Sequence, residues 1–361
     1  MNKLNIYKRK DGRYEGRVYL GKNDRGGRIY HSIYGSDEEE VKRKYQEYQQ
    51  GEAVLSDVTK MTVKELVCNW LNVMSLRVRE STLANYRMKA EKHIITSFGD
   101  NDCCSLRGKD IYAFISRKQS EGLSIRYISD IIVMIKSLIK YAHKEYGIYN
   151  VIDGIIMPKK PKAEVQVLEK QDQEKLKTYI SVNQNRTTVG IALDLSTGVR
   201  IGELCAIRGA DIDIEKRILT VRHTIQRIYN HGGVKRTKLV ITEPKSESSK
   251  REIPIPVFMV EMLKELVDSD DKYLLTGKTK PMEPRSMQYK FARILKKLSL
   301  PSVHFHSLRH AFASNAVALG FDIKTLSELL GHSSIEMTLN RYMHSSIEMK
   351  KRYVENLNLA S

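Results

Sequence analysis

Six polar side chains fall in four short stretches: Arg200 in TGVRIGELCAIR, Lys245 in TEPKSESSKREIPI, His306 with Arg309 in HFHSLRHAFAS, and His332 with Tyr342 in LLGHSSIEMTLNRYM. Attack on a phosphodiester builds negative charge on its two non-bridging oxygens. Planar guanidinium groups match those oxygens bidentately and stay charged at any working pH, which suits Arg200 and Arg309. A lysine on a flexible loop can swing to a leaving oxygen and donate a proton, and PKSESSK puts Lys245 at what reads as a hairpin tip between the strands KLVITE and REIPIP. His306, one helical turn before Arg309, shares its helix face and can donate to the phosphate or shuttle a proton. His332 follows Gly331 in a tight helix-to-helix corner and adds another donor. The nucleophile would be Tyr342, whose phenol, with a pKa of about 10, needs a cationic surround to stabilise the emerging phenolate.

In this order and in these contexts the four stretches resemble the tyrosine recombinase family, the phage-type integrases. The resemblance rests on TGxRxxEL, on HxLRH, and on LGH followed ten residues later by Tyr. It implies that Arg200, Lys245, His306, Arg309 and His332 surround the attacked phosphate and that Tyr342 forms a 3′-phosphotyrosyl link. A free 5′ hydroxyl and a Holliday junction would follow, resolved by a second pair of exchanges. Glu203 would buttress the site from behind and His310 would support it. One phosphodiester is exchanged for an ester of similar energy, so no ATP, metal ion or other cofactor is expected, and no GxxxxGK[ST] phosphate loop occurs.

The resemblance also supplies partners and a purpose. Double-stranded DNA is expected, bound at core and arm attachment sites, with a homotetramer on two duplexes joined through the C-terminal tail. DNA-bending and directionality proteins are implied as accessories. The expected function is site-specific integration and excision of a mobile element, most like the integrases of conjugative transposons and temperate phages. Two rival readings stand beside it. His304, His306 and His310 have a spacing that could hold zinc in a metal-dependent hydrolase, although no Asp or Glu accompanies them. A DNA-binding regulator could keep the fold and lose catalysis, although all six polar residues are present.

The elements that must position these residues read as an α+β multidomain chain. Residues 1–55 alternate with period two around turns at Asp11-Gly12 and NDRGG, giving a small three-stranded sheet followed by a helix whose start is expected at the capping pair Ser36 and Glu39. Residues 1–35 hold nine Lys or Arg against three acids, and one strand face presents Arg13, Arg17 and Tyr19. Such a face can lie in a DNA groove. Residues 60–157 read as helical, opened by Thr62 with Glu65, with Arg77, Arg79, Arg87, Lys89 and Lys92 placed for phosphate contact, and the resemblance implies that this segment is a SAM-like core-binding domain. MPKKPKAE, residues 157–164, reads as an exposed linker.

Residues 165–361 read as a mixed, mainly α catalytic domain with a small antiparallel sheet. HSSIEM occurs twice, on either side of Tyr342, and Ser333 with Glu336 and Ser345 with Glu348 have the capping-box spacing of helix starts. The tail after Ser346 carries Ile347, Met349, Tyr353, Val354 and Leu357 at roughly helical spacing, so burial against its own or another subunit is expected.

Composition agrees with a polyanion as partner. The net charge is +18 with basic residues spread along the chain, a field that concentrates nucleic acid. Neither a signal peptide nor a membrane span is legible, so the chain is expected in the bacterial cytoplasm, on the nucleoid when active. The four cysteines, Cys68, Cys103, Cys104 and Cys205, lack the spacing of a disulfide framework and read as reduced thiols, Cys205 in a core.

Overall fold

The computed structural model describes residues 4–9, 12–22, 28–46, 61–148, 155–158, 168–244, 247–342, 351 and 355. Lys245, the second HSSIEM copy, most of the 157–164 linker and nearly all of the tail lie outside the described residues. The chain divides into two compact units, Met1–Pro161 and Lys162–Ser361.

In the first unit, β1 (Asn5–Lys8), β2 (Tyr14–Lys22) and β3 (Arg28–Gly35) form an antiparallel sheet in that order. Alternation puts Val18 and Ile33 on one face, where they pack on Val41 of the helix at 38–46, α1. The N-terminal cap of α1 is one residue later than the Ser36–Glu39 expectation. Asp37 Oδ1 accepts from the Glu40 N–H at 2.7 Å and Glu40 Oε2 reaches back to the Ser36 N–H at 2.7 Å. Both spacings are present in SDEEE, and a carboxylate oxygen is a stronger acceptor than a hydroxyl.

The helical part comprises α2 (Val63–Ser75), α3 (Glu80–Lys89), a π-helical segment Ala90–Ile95, α4 (Thr96–Phe98), α5 (Gly108–Ser120) and α6 (Ile125–Tyr146). The Thr62–Glu65 capping box forms as the sequence requires. Its core gathers Trp70, Phe98, Phe114 and the buried stripe Ile128, Ile131, Ile132, Ile135 and Leu138 of α6.

The second unit is built from α7 (Lys170–Val182), α8 (Arg186–Thr197), the single turn α9 (Ile201–Leu204), five short strands, and α10 (Val257–Lys264) to α14 (Ile335–Tyr342). Between the last two lie α11 (Pro284–Lys297), α12 (Ser307–Ala318) and α13 (Ile323–Leu330). One sheet pairs β4 (Ile212–Asp213), β5 (Ile218–Val221) and β8 (Arg251–Pro254), and a separate hairpin pairs β6 (Thr224–Tyr229) with β7 (Thr237–Thr242). This corrects the expected pairing of KLVITE with REIPIP: β7 pairs with β6 and β8 with β5, so the two strands flanking Lys245 belong to different sheets. Apolar residues of α8, α11, the sheet and the start of α12, including Leu193, Leu219, Ile253, Phe291 and Leu308, form one core, with Cys205 in it.

Candidate active site

The site assembles on the C-terminal end of α13. A helix ends with backbone carbonyls that lack a partner within it. Here Gly331, in the left-handed region at φ 63°, turns the chain so that the N–H groups of Gly331 and His332 bond back to Glu328 and Ser327. The next three carbonyls each receive a guanidinium group. Arg251 Nε donates to Leu329 O at 2.6 Å, Arg309 Nη2 to Leu330 O at 2.6 Å, and Arg200 Nη2 to Gly331 O at 2.8 Å. The negative end of the helix dipole favours these cations. Three residues far apart in the chain thus converge on one turn.

Each arginine is fixed a second time. Arg309, 2% exposed, also donates from Nη1 to Gly198 O at 2.6 Å. Gly198 ends α8 at φ 63°, and a Cβ there would stand 2.4 Å from Phe312, so glycine is required both for the turn and for the close approach. Arg200, just before α9, donates from Nη1 to Glu203 Oε1 at 2.7 Å, and its backbone N–H reaches Oε2 at 2.9 Å. Arg251 Nη2 completes the Glu203 carboxylate at 3.0 Å. Burial alone would push the Glu203 carboxyl up, but the charges of Arg251 and Arg200 outweigh it and hold the group below the usual carboxylate range. Behind them Asp194 of α8 is buried, and among the described residues its Oδ1 has no hydrogen-bond partner. Burial raises its carboxyl well above the ordinary value, the Arg309 charge only partly opposing.

His332 lies one residue beyond this turn, and its Nδ1 is 2.8 Å from Oγ1 of the buried Thr338 on α14, which orients the ring. The helix α14 opens at Ile335, one residue later than the Ser333–Glu336 pair implies, and closes at Tyr342. His306 occupies the position before α12, and its ring packs edge-to-face on that of the buried His310 at 4.7 Å. Arg200, Glu203, Arg309 and His332 therefore meet around one turn, with His306 a helical turn from Arg309. Tyr342 is described only as the last residue of α14. Among the described residues, the one trio of metal-ligating atoms within 4.8 Å is Asp102, Cys103 and Cys104, so His304, His306 and His310 do not converge. Burial pushes the Cys103 thiol up to about 12.

Arg251 and Asp194 are missing from the sequence reading. Both had a signal. Arg251 shares a strand face with the buried Ile253, and Asp194 interrupts the apolar run IALDL of α8.

The residues expected to contact DNA separate into two groups. Arg13, Arg17 and Tyr19 are exposed on the outer sheet face with Tyr7, Tyr30 and Tyr34. Arg17 lies 5.1 Å from the Tyr7 ring and Arg13 5.8 Å from that of Tyr34. Beneath them Glu15 is buried, its carboxyl lowered to about 2 by hydrogen bonds from Arg17, Tyr7 and Ser32. Arg87 is half-buried on α3. Lys89 corrects the expectation: it is buried, lies 5.4 Å from the Tyr127 ring and pairs with Asp130 at 3.6 Å, which leaves it poorly placed to meet a phosphate.

Residues 166–349 match the Phage integrase family, and residues 62–119 match the Phage integrase N-terminal SAM-like domain. A tyrosine recombinase XerC-like protein of Caldanaerobacter subterraneus subsp. tengcongensis is 28% identical over 99% of this chain and 98% of its own length. The transposase of transposon Tn916 from Enterococcus faecalis is 25% identical over 59% of this chain and 55% of its own. Among solved structures, the Tn1549 transposon integrase in complex with transposon right-end DNA aligns with a TM-score of 0.70 and 24% identity, covering 82% of this chain and 99% of that one. The lambda integrase dimer bound to a core site aligns with a TM-score of 0.61 and 19% identity, covering 94% of both. With its arginines gathered on one helix end and half its length matched, the chain belongs to the phage integrase family of tyrosine recombinases.

Proposed function

We propose that this tyrosine recombinase integrates and excises a mobile element by cutting and rejoining DNA through Tyr342. The carrying observation is the convergence of Arg200 and Arg309 on consecutive carbonyls of one helix end, beside His332. Two guanidinium groups held by backbone and carboxylate contacts are preorganised for a phosphate whose non-bridging oxygens gain charge during attack. His332 and His306 would add donors, Lys245 would protonate the leaving 5′ oxygen, and Glu203 would keep Arg200 in place. The product is a 3′-phosphotyrosyl ester, which the 5′ hydroxyl of a partner strand reverses to give a Holliday junction.

Double-stranded DNA is the proposed substrate. The proposed organisation is an arm-binding domain at 1–55, a helical core-binding domain at 60–157 and a catalytic domain at 165–361. The exposed tyrosines and arginines of the first sheet support its assignment to arm DNA, since stacked aromatic and cationic groups bind nucleic acid without needing a deep pocket. A tetramer on two duplexes, exchanging C-terminal tails, would synapse the sites, with accessory bending and directionality proteins choosing the reaction. Such an enzyme would act in the cytoplasm. Among the described residues, no helix is long and apolar enough to cross a membrane.

The test is covalent trapping on a nicked duplex carrying the ends of the cognate element, with excess EDTA present. A protein–DNA adduct is expected for the full chain and none for Tyr342→Phe, which should still bind. DNA binding with no adduct from the unaltered chain would instead identify a regulator that has lost catalysis.

A further inference from the structure

We infer that Arg251 is a positioning residue for strand cleavage, holding Arg200 and the His332 corner in register although it need not touch DNA. The inference rests on the recombinase reading above. Arg251 reaches three segments at once from a side chain only 6% exposed. Its Nε donates to Leu329 O at 2.6 Å, its Nη2 to Glu203 Oε2 at 3.0 Å, and its Nη1 to Ser249 O at 3.2 Å. Glu203, itself 3% exposed at its side chain, passes this restraint to Arg200 through the 2.7 Å contact between Oε1 and Nη1. A Cβ on Gly331 would lie 3.0 Å from Arg251 Nη1, so the turn that delivers His332 is built around this side chain.

The bridge has a charge component and a geometric one. Glu203 is buried, and the charges acting on it are Arg251 of β8 and Arg200 before α9; its own charge in turn helps to raise the Asp194 carboxyl of α8, which Arg309 of α12 lowers. Removing Arg251 takes away the first of the two cations that keep Glu203 ionised. A protonated Glu203 loses its charge-assisted grip on Arg200, and the cradle for the phosphate loosens. A lysine would restore the charge. It would not restore the fork, because one ammonium cannot meet a carboxylate, a helix-end carbonyl and the Ser249 carbonyl in the directions three separate N–H groups do.

The experiment follows covalent attachment of the full-length chain to a nicked duplex as a function of pH. It compares the wild type with Arg251→Gln, Arg251→Lys and the double variant Arg251→Gln with Glu203→Gln, with circular dichroism at each pH to admit only folded samples. Arg251→Gln should slow attachment about tenfold or more, as displacement of a positioned group does. Its acid limb should also move to higher pH than the wild type's, and adding Glu203→Gln should remove the limb. Arg251→Lys should return the limb to its wild-type position without restoring the rate. An unshifted limb in Arg251→Gln, or a full wild-type rate in Arg251→Lys, overturns the inference. If Arg251→Gln does not fold, the Arg251→Lys rate alone decides. No adduct from the wild type would refute the recombinase reading itself, and this inference with it. A wild-type adduct with an unshifted limb refutes only the role of Arg251.

Discussion

Two groups of arginines serve this chain, and they differ in what surrounds them. On the outer face of the N-terminal sheet, Arg17 is half exposed, leans on Tyr7 and pairs with Glu15. At the end of α13, Arg309 is buried, the Arg251 side chain is almost wholly covered, and each is held by at least two fixed oxygen atoms. An exposed cation interacts through water and salt and adds affinity by releasing counterions. A buried one is oriented before the substrate arrives, so its worth lies in charge that develops during reaction. Arginines of the first kind should govern where and how tightly DNA binds, and those of the second how fast it is cut.

The largest effect should come from Arg309→Ala. Covalent attachment is expected to fall by about 10²- to 10³-fold, the usual loss when a preorganised donor is removed. Because the loss belongs to the chemical step, it should persist at low and high salt alike, as rates measured on saturated complexes would reveal. A variant that recovers normal rates at low salt would place Arg309 among the binding residues and collapse the comparison.

Gly198→Ala comes next. The left-handed φ and the 2.4 Å approach to Phe312 should cost about 2 kcal/mol or more in stability, read as a lowered thermal midpoint. Attachment should slow as well, since Gly198 O is a seat of Arg309. Normal attachment despite a lowered midpoint would mean that the seat does not matter.

Asp194→Asn sharpens the comparison through pH. The Asp194 carboxyl is raised in the folded state, chiefly by burial, so its contribution is complete below the unfolded-state value and is lost as pH rises toward the folded one. The asparagine variant has no proton to lose there. Its thermal midpoint should match the wild type's in acid and exceed it progressively toward neutral pH. A constant difference across that range would show that Asp194 does not titrate as its burial requires. Glu203 has the opposite sign: held low by Arg251 and Arg200 against the effect of burial, it stabilises at neutral pH and loses that contribution as the solution becomes acid.

The smallest effect belongs to Arg17→Gln. Binding to arm-site DNA should weaken modestly and the slope of log affinity against log salt should fall by about one, with cleavage at a core site unchanged. A larger slope change, or slower cleavage, would mean that the two groups of arginines are not separate in function.

The elements themselves were legible because each writes its period and its ends locally. Alternation gave β1 to β3, and Thr62 with Glu65 announced α2. Local signals failed where two candidates lay within reach of one another. Asp37 displaced Ser36 as the cap of α1, and Lys89, read as a phosphate contact, turned inward to Asp130 and Tyr127.

The types and order of the side chains, Arg200, Glu203, Lys245, His306, Arg309, His332 and Tyr342, were determined by the sequence alone, because a charged fork, a swinging ammonium and a phenol are chemical identities that need no neighbours to be recognised. Which of them meet, and what holds them, was decided only by the tertiary structure. The carbonyls of Leu329, Leu330 and Gly331 look like any others in a sequence. They become ligands for three distant arginines only when α13 ends where α8, α9, β8 and α12 also converge.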